Sequence, residues 1–98
     1  MRIALPHNTT REEAKRKIEQ RLSNLEQQYG HYATDIDKNW EGDRLNFNVK
    51  AKGMTGSGFV EVTDSEIILD GKLPLMARPF ESRIKSTIER EAESMFRA

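Results

Sequence analysis

The chain has 98 residues, 36% hydrophobic and 33% charged, with 16 Lys+Arg against 16 Asp+Glu, which is enough for one hydrophobic core but leaves no net field to recruit a nucleic acid or an anionic membrane. The absence of cysteine excludes disulfides, thiolate metal sites and cysteine nucleophiles, and fits a reducing compartment. No apolar run is long enough for a signal peptide or a transmembrane segment, so the expected location is cytoplasmic.

Residues 2 to 6 alternate, with Ile3 and Leu5 on one side, and Pro6 ends this short strand. Thr10 and Glu13 have the spacing of a capping box, which predicts a helix start. Ala14, Ile18, Leu22, Leu25 and Tyr29 make its apolar stripe, and Glu12 and Glu13 stand one turn before Arg16 and Lys17. Gly30 is expected to stop the helix by taking φ > 0.

The period then changes to two. Tyr32, Thr34, Ile36 and Trp40 share one predicted strand face, and Glu41-Gly42-Asp43 turns into Leu45, Phe47, Val49 and Ala51, alternating with polar residues. Gly53 breaks that strand. Met54, Gly56, Gly58, Val60 and Val62 point inward on the next, with Phe59 the lone apolar residue on the outer face. The two glycines mark curvature or a close backbone approach. Asp64-Ser65 leads into a last strand, Glu66 to Leu69, closed by Asp70-Gly71. A second helix follows Pro74, with Pro79 in or near its first turn and Phe80, Ile84, Ile88, Ala92 and Met95 as its stripe.

The order β-α-β-β-β-β-α predicts a single α+β domain over residues 1–98, a curved antiparallel sheet with two helices packed on one face. Residues 72–98 hold six basic and four acidic side chains, and residues 31–71 four basic and eight acidic. Attraction between the acidic sheet and the basic final helix is the expectation, within a chain or between chains.

Chemical motifs are sparse. Asp35-Ile36-Asp37-Lys38-Asn39 opens like a calcium loop, but Trp40 stands where glycine is required and Asn46 where a bidentate glutamate is, so a solvated strand face is the better reading. His7 and His31 have no second ligand at helical spacing and read as surface histidines. No serine lies in a nucleophile elbow and no glycine loop ends as a phosphate loop does. No catalytic, cofactor or metal residues are assigned, and an enzyme is not expected.

The segment Leu73-Pro74-Leu75-Met76-Ala77-Arg78-Pro79-Phe80 puts large apolar side chains where sheet passes to helix. It reads either as core filling or as an apolar contact surface of Leu75, Met76 and Phe80, with Trp40 as a further anchor at a hairpin turn. A small-ligand reading competes with it, in which Gly56 and Gly58 make room for an acyl chain against the curved sheet.

Several features span nearly the whole chain: the Ala14-x-x-x-Ile18 helix stripe, Trp40-Glu41-Gly42-Asp43-x-Leu45-x-Phe47, Gly56-x-Gly58-x-Val60-x-Val62, and Leu73-Pro74 through Pro79-Phe80-x-x-x-Ile84-x-x-x-Ile88. In their order and spacing the chain resembles the Putative polyhydroxyalkanoic acid system protein family, small bacterial proteins associated with polyester storage granules. The resemblance implies an accessory role in polyhydroxyalkanoate storage and brings no catalytic or ligand residues with it. Partners would be a granule-coat protein, the polyester surface, or a second copy in a homodimer.

Overall fold

Alternating apolar residues become five strands, β1 (Arg2–Pro6), β2 (Asp35–Glu41), β3 (Arg44–Ala51), β4 (Met54–Val62) and β5 (Glu66–Lys72), joined in one antiparallel sheet of order β1-β5-β4-β3-β2. The structure, a computed structural model, describes residues 1–32 and 35–97. The expected strand residue Thr34 lies outside the described residues, as do the side chains of Tyr29 and Tyr32.

Paired residues share a sheet face, so the register sorts the side chains. Ile3, Leu69, Val60, Leu45 and Trp40 form one inward row, and Leu5, Ile67 and Val62 the next. Two helices cover this face: α1 (Arg11–Tyr29) and α2 (Glu81–Phe96). Ala14 and Ile18 from α1 and Ala92 and Phe96 from α2 meet Leu45, Val62 and Ile67 in one buried cluster. The helices run antiparallel, as the Arg21–Glu91 ion pair at 3.0 Å and the Lys17 Nζ bond to the Met95 carbonyl at 3.4 Å require. The Lys17 ammonium satisfies one free carbonyl at the end of α2 and Asn8 Nδ2 another, that of Phe96, at 3.0 Å.

Several details differ from the reading of the sequence. Thr10 Oγ1 accepts from the Glu13 N–H at 3.2 Å as expected, but the Glu13 carboxylate pairs with Arg16 instead of reaching back. Gly30 is right-handed (φ −58°), and the chain continues as a 3-10 turn, Gly30–Tyr32, so no positive φ ends α1. The final strand extends to Lys72, past the predicted closure at Asp70-Gly71. The Asp35 segment does not differ: Asp35, Asp37 and Asn39 alternate along β2 on the outer face, the solvated strand face that was expected.

Phe59 is accounted for on the outer face by Arg44, whose guanidinium lies 4.0 Å from its ring centroid and pairs with Glu61 at 3.0 Å. His7 contradicts its surface assignment: it is 1% exposed. Its Nε2 lies 2.8 Å from the Thr63 carbonyl and its Nδ1 accepts from the Thr9 N–H at 3.2 Å, which assigns the neutral Nε2–H tautomer. It ties the β1–α1 connection to the β4–β5 turn and lies beside Phe96.

Candidate contact surface

Prolines decide the backbone between sheet and α2. Pro74 is extended (φ −60°, ψ 152°) and Pro79 has no N–H to give an α-helix, so Leu75–Phe80 forms a 3-10 segment, held at its start by the Ala77 N–H on the Pro74 carbonyl at 2.9 Å. Phe80 has φ −101° and ψ 6°, outside the helical well, which turns it away from the stripe it was expected to head. Phe96, absent from the expected stripe, closes the core end of α2 in its place.

The segment buries no residue of its own. Leu75 is 75%, Met76 76% and Phe80 58% exposed. On a helix of three residues per turn, consecutive positions such as Leu75 and Met76 point in different directions, so these side chains project around a knob and do not form a stripe against the sheet. The knob adjoins the least covered part of the inner face. Ile36, Val49 and Gly56 form one row across β2, β3 and β4, and Pro74 lies beside the Gly56 position. Ile36 is exposed and Val49 half-buried.

Trp40 occupies a different place. Its row lies four residues along β2 from Ile36, it packs against the buried cluster, and its indole N–H donates to Glu19 on α1. Lys15 Nζ stands 5.2 Å from its ring centroid. The Lys38 ammonium, pointing inward from the edge strand, pairs with Glu26 at 2.7 Å and Glu19 at 3.5 Å. The Glu26 hydrogen bond is the larger cause of its raised pKa. An inward lysine also blunts β2 as a pairing edge.

The sheet's carboxylates are met by α1, not by α2 as expected. Arg11 pairs with Asp43 and with Asp64, and Lys15 reaches Asp43 at 3.4 Å. The Arg11 hydrogen bond, then that of Lys15, holds the Asp43 carboxyl below its ordinary value. The cations near the knob are consequently left over: among the described residues, Lys72, Arg78, Arg83 and Lys85 are exposed and enter no ion pair. The one carboxylate among residues 72–85, Glu81, lies 3.5 Å from the Met1 ammonium. The basic balance of the last 27 residues was legible, but which helix would neutralise the sheet was not.

Gly58 does not leave room. A Cβ there would lie 2.2 Å from the Asp70 carbonyl oxygen, so the space is filled by the β5 backbone, whereas at Gly56 the nearest atom would be at 3.8 Å. An open hollow of about 350 Å³ is lined by Leu5, Pro6, Asn8, Glu93, Phe96 and Arg97, near the core end of α2 and away from both glycines. No described helix is long and apolar enough to cross a membrane.

Compared with known proteins, residues 1–96 match the model of a family described as "Putative polyhydroxyalkanoic acid system protein". No curated protein and no solved structure matches the chain.

Proposed function

The chain belongs to the polyhydroxyalkanoic acid system family, and from that premise we propose that it is a non-catalytic accessory protein of polyhydroxyalkanoate storage, a cytoplasmic adaptor that meets the granule through an apolar surface. The observation that carries this reading is the knob: three large apolar side chains, Leu75, Met76 and Phe80, each more than half exposed on one six-residue segment. Single exposed apolar residues are ordinary on protein surfaces, and it is the presence of three on one short segment that supports the contact reading. Methionine in such a cluster suits a surface that must fit an irregular partner.

The surface is built from Leu75, Met76 and Phe80, with Ile36 and Val49 beside it, while Trp40 braces α1 against the sheet. Replacing Leu75 and Phe80 by Ser is expected to release the protein from isolated granules in a sedimentation assay with its far-UV spectrum unchanged. Retention of the variant on the granules would sink the reading.

A further inference from the structure

We infer that the knob and the cations around it form a docking site for an anionic phospholipid surface; the inference rests on the reading above that Leu75, Met76 and Phe80 are the contact surface. A side-chain cluster that enters a lipid interface needs apolar groups to bury in the headgroup boundary and cations at the level of the phosphates. Both are present here. Leu75, Met76 and Phe80 supply the first, and Arg78, between them in the chain, supplies a cation on the same 3-10 segment. Lys72 precedes the segment, and Arg83 and Lys85 follow in the first turns of α2, all exposed and outside any ion pair among the described residues. Four cations thus flank the apolar knob along residues 72–85, and the one carboxylate in that span, Glu81, lies 3.5 Å from the Met1 ammonium. The whole chain has no net charge, yet the charge that matters within a Debye length is local, and here it is positive.

The same charges argue against the other occupants. A second copy docking by this face would set the cations against themselves, since a two-fold interface pairs a patch with its own image. A bare polyester is neutral and gives Lys72, Arg78, Arg83 and Lys85 nothing to pair with. An anionic lipid surface is complementary to both parts.

The test is sedimentation with vesicles of phosphatidylcholine alone and of phosphatidylcholine with roughly one-quarter phosphatidylglycerol, a composition that gives the negative surface potential basic patches respond to. Lipid-free polyhydroxybutyrate particles form a third arm. The protein is expected on the anionic vesicles at least ~10-fold more than on the neutral ones, and to leave them at high salt. Arg78→Gln, Arg83→Gln and Lys85→Gln are each expected to weaken partitioning about fivefold, and the combined variant Leu75→Ser, Met76→Ser, Phe80→Ser to abolish it. All six positions are exposed or half-exposed, so native Trp40 fluorescence should persist. Equal binding to both vesicles overturns the inference, as does a concentration-dependent dimer that the serine variant loses. Binding to the polyester particles alone overturns it and leaves the proposed function standing. Binding to neither lipid nor polyester overturns both.

Discussion

The His7 ring gives each nitrogen one partner, the Thr63 carbonyl and the Thr9 N–H, and its edges lie against Phe96. Removing it leaves a half-buried carbonyl and a half-buried N–H without their partner beside a cavity, and each of those is costly. His7→Ala is expected to lower the unfolding free energy by about 2–4 kcal/mol in urea titration. Gly58 and Gly56 make a second, paired prediction. Gly58→Ala forces a methyl group into the Asp70 backbone and is expected to cost more than about 2 kcal/mol, whereas Gly56→Ala meets only ordinary contacts and should change stability by less than about 1 kcal/mol. The alternation of β4 put both glycines on the inner face from sequence alone. Which of them a neighbouring strand would crowd depends on register with β5, and no local pattern carries that. His7 was misassigned for a related reason: its partners Thr63 and Phe96 are distant in the chain, and a histidine without a ligand motif looks like any exposed one.

Elements were legible where their signal is local. Period, capping and turn residues located all five strands and both helices, since each depends on residues a few positions apart. The hairpin between β3 and β4 shows this physics: Lys52 and Gly53 have φ of 52° and 77°, the positive pair that a two-residue turn with the sheet's twist demands. Lysine pays for that conformation where asparagine visits it readily, so Lys52→Asn is expected to raise stability by up to ~1 kcal/mol, read as an increase in Tm. What joins the elements was not legible. Arg11 holds the β2–β3 and β4–β5 turns through Asp43 and Asp64, at sequence separations of 32 and 53. Because the folded Asp43 carboxyl titrates below its unfolded value, its stabilisation is complete above about pH 4 and is lost as pH falls through the folded value. Asp43→Asn is therefore expected to melt earlier than the parent at neutral pH, with the two Tm values converging below about pH 4. A Tm difference that persists unchanged into acid would show that the clamp is not ionic.

At the scale of the molecule, the two ends of the inner face are treated differently. At one end Leu45, Val62, Ile67, Ala92 and Phe96 are buried between sheet and helices. At the other, the two prolines keep Leu75–Phe80 out of α2's register, so its apolar side chains face away from the core that the helix stripe completes. The hydrophobicity of Leu75, Met76 and Phe80 therefore contributes little to folding, and the contrast can be measured within one protein. Leu75→Ser, Met76→Ser and Phe80→Ser together are expected to change the unfolding free energy by no more than ~1.5 kcal/mol, because exposed positions typically shift it by under ~0.5 kcal/mol each. Phe96→Ala, at 2% exposure, is expected to cost about 3–5 kcal/mol. The sole tryptophan, Trp40, packs against the cluster that Phe96 belongs to, so its fluorescence in urea reports both variants on one scale. If the serine variant unfolds as early as Phe96→Ala, those three side chains are holding the fold together, and neither a granule nor a lipid surface is needed to explain them.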